Sequence, residues 1–279
     1  MKNEKMGFEN EKFIFWIRLA DVTIKIYANY RSTREYCRDY LTTGPEAFSV
    51  MITQRDIAAE RDRSEKQEQV GGRKGPGRPW FGYYSDAYLE TLALYRKIAD
   101  QMIAYNTLLF HGSVIAVDGE AYLFTAKSGT GKSTHTKLWR KYFGNRAVMV
   151  NDDKPLLKVT GKGVLACGTP WAGKDHLQNN IMVPLKAVCI LERDTINHIE
   201  LIRKRDAWKM ILQQSYRSDQ PAVLSSTIRL AEQIMDKTKL YRLGCNMSMQ
   251  AVETSYNGMN TDIDYACLLY TSDAADDLT

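Results

Sequence analysis

Residues 126–133 read AKSGTGKS, and their types and order fit a loop that binds phosphate groups. In Walker A loops, successive backbone N–H groups surround the α- and β-phosphates, a lysine reaches the β- and γ-phosphate oxygens, and a Ser or Thr hydroxyl binds Mg²⁺. Lys132 would be the phosphate lysine and Ser133 the metal-binding hydroxyl. The residues predicted to bind the nucleotide are consecutive: Ser128, Gly129, Thr130, Gly131, Lys132, Ser133 and Thr134.

The loop differs from the usual motif at its first position, where Ala126 replaces glycine. That position matters for the backbone conformation at the point where the strand turns, so alanine fits if φ stays negative. The competing interpretation is a glycine-rich turn between a strand and a helix, with a lysine there by chance. A phosphate-binding loop predicts a bound nucleotide but does not specify a reaction.

A pair of carboxylates supplies the second chemical feature. Asp152 and Asp153 follow the apolar run VMVN one strand after the loop, where a magnesium-binding carboxylate belongs. Adjacent acids on a straight strand point to opposite faces. One of them can hold Mg²⁺ or its water while the other faces an acceptor as a base. The alternative is a solvated turn ahead of Lys154 and Pro155.

The stretch LLFHGSVIAVDGEAYLFTAKSGTGKSTHTKLWRKYFGNRAVMVNDD resembles the catalytic domain of HPr kinase/phosphorylase, especially its divergent relatives. In that family a His-Gly pair precedes a β-hairpin, a phosphate loop follows, and a later strand ends in two aspartates. The core is also similar to that of ATP-dependent phosphoenolpyruvate carboxykinase, whose loop is of the same S-G-T-G-K type. The close resemblance covers about residues 108–195, and a weaker one continues to about residue 259.

The resemblance implies an ATP-dependent, Mg²⁺-requiring kinase that transfers the γ-phosphoryl group to a hydroxyl acceptor, such as a serine of a protein or peptide, or a small molecule. It makes His111 an active-site residue, although a lone histidine in a sequence is usually structural. It also makes Lys132 catalytic, Asp152 the general base, and Ser133 and Asp153 the metal ligands. The alternatives are a carboxykinase-like phosphotransferase acting on a small metabolite and an ATP-binding regulatory module without turnover.

One part of the family pattern is missing. The glycine-rich signature associated with the reverse, dephosphorylating reaction is not visible, and CGTPWAGKDH stands in its approximate place. Gly168, Gly173, Lys174 and His176 could form a substrate or phosphate loop with Trp171 as a wall, and an ordinary loop between strands is equally compatible. The sequence therefore leaves the reverse reaction and the acceptor open.

The elements that position these groups predict an α/β fold, with a P-loop nucleotide-binding core of the HPr kinase/phosphoenolpyruvate carboxykinase type and a β-rich N-terminal region. Alternating apolar residues predict strands before the loop, joined by an Asp-Gly turn, and helical spacing follows it. The predicted division is a β-rich region with a basic Gly/Pro linker over residues 1–80, a kinase-like domain over 81–260, and a non-native or disordered tail over 261–279. The tail sequence CLLYTSDAADDLT resembles translated sequencing adapter.

The bulk composition narrows the class of protein. The chain has 279 residues, of which 44% are hydrophobic, and its net charge of +5 suits an anionic ligand but is too small and dispersed to predict a nucleic-acid partner. No run approaches the ~20 apolar residues that a membrane-spanning helix needs. Five scattered cysteines are typical of reduced thiols, so we expect a cytoplasmic protein. The sequence leaves assembly into a homo-oligomer open.

Overall fold

The computed structural model describes residues 12–70, 84–173 and 175–261, without the side chains of 67–70. The described residues form two β-sheets with helices, so the predicted α/β class is confirmed. No helix in these ranges is long and apolar enough to cross a membrane. The predicted basic linker residues Arg73, Lys74 and Arg78, as well as Lys174 and the predicted tail beyond Thr261, lie outside the described residues.

The first sheet is built from the N-terminal part of the chain and has the strand order β3-β1-β2-β4. Its two longest strands form an antiparallel hairpin, within the region that the sequence predicts to be β-rich. Helix α2 forms in the charged segment of the sequence, and Ser85 caps α3 by accepting a hydrogen bond from the Tyr88 amide. The elements are β1 (Phe13–Leu19), β2 (Val22–Ala28), α1 (Arg31–Tyr36), β3 (Leu41–Thr42), β4 (Phe48–Met51), α2 (Gln54–Val70) and α3 (Asp86–Met102).

The second sheet carries the sequence motifs. Nine of its strands are described: seven follow the order β5-β9-β10-β11-β7-β6-β8, and β13 pairs with both β11 and β12. The elements are β5 (Thr107–Leu109), β6 (Ser113–Val117), β7 (Glu120–Thr125), α4 (Lys132–Phe143), β8 (Ala147–Asn151), β9 (Leu156–Thr160), β10 (Gly163–Cys167), β11 (Met182–Arg193), β12 (His198–Leu201), α5 (Lys204–Gln214), α6 (Pro221–Asp236), β13 (Lys239–Cys245) and α7 (Met249–Asn260).

The central strands are buried on both faces, because helices cover the sheet on each side. Successive residues of β7 alternate between the two cores: Leu123 packs on the side of α5 and α6, and Tyr122 and Phe124 pack on the side of α4 and α7. Asp118 and Gly119 both have positive φ and join β6 to β7 in the predicted hairpin turn. This turn therefore fixes the register of β6 against β7.

Strand directions bring four strand ends to one edge of the sheet, here called the carboxyl edge. β7, β11 and β13 are mutually parallel, and β8 has the same direction because both β7 and β8 are antiparallel to β6. Ligands of α/β sheets bind outside the carboxyl ends of parallel strands. The residues that follow β7 and β8 are the two predicted motifs, so the fold brings them to the same edge.

Helix α3 connects the two sheets. Its apolar residues pack in the core of the N-terminal sheet, although the predicted boundary near residue 80 places this helix in the second domain. Its buried Glu90 accepts hydrogen bonds from the Asn29 and Tyr30 amides at 2.6 and 3.1 Å and from the Thr33 hydroxyl at 2.5 Å. A buried carboxylate needs such donors to offset its lost hydration. The start of α1 is thereby fixed to α3.

Candidate functional site

The segment 126–131 connects β7 to α4 at the carboxyl edge. Ala126 is completely buried and is not among the residues with positive φ, which is the condition under which alanine was expected to fit. Gly129 and Gly131 do have positive φ, at 79° and 125°, and a side chain at either position would strain the backbone. The predicted strand–loop–helix arrangement is therefore present. Ser128, Gly129, Ser133 and Thr134 are exposed, and Thr130 is partly exposed.

Lys132, by contrast, is mostly buried at the first turn of α4. Its Nζ donates to the Ala126 carbonyl at 3.2 Å, so the side chain folds back over the loop. Burial lowers the pKa of this ammonium group, an effect that Asp153 opposes and Lys154 reinforces. The charged form of an ammonium group that is desolvated in this way is stabilised when an anion approaches. The N-terminus of α4 adds partial positive charge at the same place.

Arg193, at the end of β11, also contacts the loop and was not singled out in the sequence. Its guanidinium donates to the Gly129 carbonyl at 2.5 Å and to the Thr130 carbonyl at 3.3 Å. Because these carbonyls are turned toward Arg193, the loop is fixed to the neighbouring strand on the β11 side. No sequence pattern marks this residue, since its role depends on the parallel pairing of β7 with β11.

The two aspartates are separated by the turn that ends β8. The buried Asn151 side chain accepts hydrogen bonds from the amides of Asp153 and Lys154 at 2.8 and 2.7 Å, and it donates to Thr169. This Asx turn is a known way for asparagine to redirect a chain. The acidic pair therefore lies on a constrained turn, and its two side chains have different surroundings.

Asp152 points into the protein beside the loop 126–131. Its Oδ1 accepts a hydrogen bond from the Ser113 hydroxyl at 2.6 Å, and it lines a cavity together with Ser133 and Asp175. Burial raises the pKa of this carboxyl, while the hydroxyls of Ser113 and Ser133 lower it in part. A Cβ at Gly173 would lie 2.9 Å from the second oxygen of Asp152, so this carboxylate is enclosed on that side as well.

Asp153 is more accessible and belongs to a different cluster. Its Oδ1 lies 3.3 Å from His111 Nε2 and 3.4 Å from Lys154 Nζ, and 36% of its side chain is exposed. Burial lowers the pKa of His111 to about 4, with Lys154 and Lys132 adding to the effect. The imidazole is therefore neutral at pH 7, and its Nε2 faces the Asp153 carboxylate.

His111 reaches Asp153 because the predicted continuous strand LLFHGSVIAV is interrupted. β5 pairs with β9, β6 pairs with β7 and β8, and His111 and Gly112 form the step between them. The Gly112 amide donates to the Asp153 carbonyl at 3.1 Å, and a Cβ at Gly112 would lie only 3.0 Å from the Phe124 carbonyl. Close backbone approach therefore explains the glycine of the His-Gly pair.

The sequence prediction grouped Ser133 with Asp153 as metal ligands and made Asp152 the base. In the structure Asp152 is the carboxylate beside Ser133, and Asp153 is the one beside His111. The physical reason is the Asx turn at Asn151, which directs the first acid toward α4 and the second toward the step before β6. The two acids therefore point to different surroundings, and the metal and base roles expected from the sequence stay predictions.

Within the described ranges, no group of three or more His, Cys, Asp or Glu side chains could hold a metal ion by itself. Mg²⁺ does not need such a group, because it keeps several waters and is bound through one or two carboxylates together with substrate phosphates. Asp152, whose burial disfavours its charged form, and the exposed Ser133 hydroxyl are the residues that fit such an ion.

The loop between β10 and β11, over residues 168–181, lies along the free side of β8. The Asn179 amide donates to the Val150 carbonyl at 3.2 Å, and Gly173 lies against Asp152. Trp171 is 4% exposed and donates to the Thr91 carbonyl of α3 at 2.9 Å. It belongs to the core of the N-terminal sheet, which favours an ordinary loop between strands, one of the two alternatives left open by the sequence. His176 is exposed.

Comparisons with known proteins give little further information. No family model matches the sequence, and no curated protein matches it. Among solved structures, the HPr(Ser) kinase/phosphatase from Coxiella burnetii is 11% identical, with a TM-score of 0.29, over 55% of this chain and 99% of that protein. A likeness this distant assigns no activity, so the resemblance noted in the sequence stays an expectation.

Proposed function

We propose that this protein is an ATP-dependent kinase that transfers the γ-phosphoryl group of ATP to a hydroxyl acceptor, most naturally a serine of a protein or peptide. The observation that carries the proposal is the convergence of five side chains at one sheet edge: Lys132 and Ser133 after β7, Asp152 and Asp153 after β8, and His111 before β6. These residue types are the ones that phosphoryl transfer needs for positioning and for neutralising charge.

The loop side of the site binds the nucleotide. Backbone N–H groups of residues 128–133 and the N-terminus of α4 face the phosphates, and Lys132 leaves the Ala126 carbonyl to reach the β- and γ-phosphate oxygens. Asp152 and the Ser133 hydroxyl would hold Mg²⁺. When bound, Mg²⁺ neutralises charge on the phosphate oxygens and orients the γ-phosphoryl group.

The accessible side of the site activates the acceptor. We assign the role of general base to Asp153, which reverses the roles expected from the sequence. Asp153 is half-buried, whereas Asp152 is enclosed by Ser113 and Gly173 and lies beside the loop hydroxyl. The neutral His111 lies beside Asp153 Oδ1, on one side of the carboxylate, and Oδ2 is the oxygen that would accept the proton of the acceptor hydroxyl.

Two amide variants test the proposal. With γ-labelled ATP and a panel of serine peptides and small alcohols, the wild-type protein is expected to label an acceptor. Asp153→Asn keeps the shape of the side chain but loses the base, so transfer should fall by about 10²–10⁴-fold while MgATP affinity survives. Asp152→Asn should instead raise the Mg²⁺ concentration needed for half-maximal transfer, because a charged metal partner is lost.

The outcomes separate the rival assignments. Exchanged phenotypes would restore the roles expected from the sequence and keep the kinase. MgATP binding without transfer to any acceptor, and without ADP release, would favour the regulatory-module alternative. Wild-type transfer in both variants would show that the acidic pair is a structural turn and would overturn the proposed mechanism. The surface variant Asp219→Asn, far along the chain and exposed, serves as the matched control.

A further inference from the structure

The two most exposed large apolar side chains of the described residues are Met247, at 79% exposure, and Ile196, at 72%. Single exposed apolar residues are normal on protein surfaces and need no explanation. These two, however, follow the neighbouring parallel strands β13 and β11, and so both lie at the carboxyl edge that carries the phosphate loop. Their shared position distinguishes them from the other exposed apolar residues.

The two turns that carry Ile196 and Met247 are fixed to each other. The Asn246 amide donates to Asn197 Oδ1 at 3.0 Å, and the Asn246 side chain donates to the Thr195 carbonyl at 2.9 Å. Asn197 in turn donates to the Ser248 hydroxyl at 3.2 Å. A network of this kind holds the backbone of both turns in one conformation. The exposed side chains are therefore presented from a defined surface rather than from independent loops.

This surface is continuous with the phosphate loop. Arg193 ends β11, immediately before the turn with Ile196, and its guanidinium contacts the Gly129 and Thr130 carbonyls. The spacing between neighbouring strands is about 4.8 Å, so the end of β13 lies about 10 Å across the sheet from the end of β7. The ribose and α-phosphate of a nucleotide can span that separation.

The direction of the nucleotide follows from the acidic pair. Asp152 and Asp153 end β8, which lies on the β6 side of β7, whereas β11 and β13 lie on the opposite side. The γ-phosphate must face the acids in the proposed kinase, so the base extends the other way, over the ends of β11 and β13. Apolar side chains stack against the faces of a heterocyclic base, and a methionine sulfur makes favourable contacts with an aromatic ring.

We infer that Ile196 and Met247 form the subsite for the adenine base of ATP, a binding role that no motif in the sequence assigns. The inference rests on the proposed function, because it needs a nucleotide on the loop. It places the base on the two cross-linked turns, the triphosphate on the loop and α4, and the γ-phosphate toward the acids. In the complex with ATP, the adenine base would cover the exposed side chains of Ile196 and Met247.

Calorimetric titrations with two ligands test the inference: MgATP, which has the base, and magnesium tripolyphosphate, which lacks it. In the double variant Ile196→Ser/Met247→Ser, the Kd for MgATP should rise by about tenfold or more. The Kd for tripolyphosphate should stay at its wild-type value. The matched control is Ile14→Ser/Met51→Ser, which changes an exposed isoleucine and an exposed methionine of the N-terminal sheet and should alter neither Kd.

Each other result decides against the inference. An unchanged Kd for MgATP in the double variant would overturn the base subsite and leave the proposed kinase standing. Equal weakening of both ligands would show that the turns act on the loop through Arg193 and do not contact the base. If the wild-type protein bound neither ligand, the proposed function and the inference would both fail.

Discussion

Two loops at the carboxyl edge contain glycines for different physical reasons. In the segment 126–131, Gly129 and Gly131 have positive φ and nothing lies within 4 Å of where a Cβ would stand. In the loop 168–181, Gly168 and Gly173 do not have positive φ, but a Cβ would meet Asn179 at 1.8 Å and Asp152 at 2.9 Å. The first loop is open and shaped by conformation, whereas the second is closed and shaped by packing. Glycine content alone does not separate a ligand loop from a structural one.

Gly168→Ala should have the largest effect on stability. The new Cβ would overlap backbone atoms of Asn179 and Val150, which cannot move as a flexible side chain would, so we expect a loss of about 3 kcal/mol or more in the free energy of unfolding. Denaturant unfolding measures it. Gly161→Ala is the matched control, because its Cβ would meet nothing within 4 Å and its φ is not positive. Equal stability of the two variants would contradict the conclusion that packing shapes the loop 168–181.

Lys132→Ala tests the open loop. The variant should unfold at about the wild-type temperature, because the side chain bonds within the described structure to one loop carbonyl and its burial already costs free energy. We expect MgATP to raise the melting temperature of the wild-type protein, and this rise should disappear in the variant. Lys141→Ala, an exposed lysine near the end of α4, should keep that rise. If the Lys132 variant were stabilised by MgATP as much as wild type, the loop would not be the nucleotide site.

The stability of the protein should also depend on pH through a histidine of α4, the helix that follows the open loop. His135 on α4 is 2% exposed, and burial lowers its pKa to about 4 from an ordinary 6.5. Its Nε2 accepts a hydrogen bond from the Trp139 indole at 3.0 Å, which requires the neutral ring. Between pH 6.5 and pH 4 the unfolded chain binds the proton and the folded protein does not, so stability falls as pH falls through this window.

The variant His135→Gln measures that contribution. A glutamine can accept the Trp139 hydrogen bond without titrating, so the slope of unfolding free energy against pH should decrease by up to about 1.4 kcal/mol per pH unit. Part of the wild-type slope should remain, because the pKa of His111 is lowered to about 4 in the same way. An unchanged slope in the variant would mean that His135 is already protonated, or accessible, in the folded protein.

Ala126→Gly should have the smallest effect. Glycine is the residue that phosphate loops usually carry at this position, so MgATP affinity should stay at the wild-type value. The buried methyl group and the lower backbone entropy of alanine predict a loss of about 1 kcal/mol in stability. A calorimetric Kd together with an unfolding curve checks both parts. A marked change in affinity would show that the first loop depends on packing as the second does.

Local patterns in the sequence predicted the elements of the candidate site well. The hairpin turn at Asp118 and Gly119, the loop between strand and helix, and the strand before the acidic pair are all in the structure. Each of these depends on interactions between residues close in sequence, such as turn conformation and alternation of apolar residues. The α/β class followed from the order of these elements.

Features set by long-range pairing were not predicted. The grouping of Asp152 with Ser133, the bonds from Arg193 to the loop and the burial of Trp171 against α3 join residues that are far apart in the chain. Short elements such as β12 were also missed, because four residues give too little pattern.

The sharing of helix α3 between the two sheets has a consequence for how the gene can change. Glu90 faces the N-terminal sheet with four hydrogen-bond donors, and on the same helix Thr91 accepts the bond from Trp171, whose loop encloses Asp152. A recombination event near residue 80 would leave Glu90 without its donors inside an apolar surface. We therefore expect a viable exchange with a relative to carry α3 along with the N-terminal sheet, so that this sheet and the carboxyl edge of the second sheet stay together.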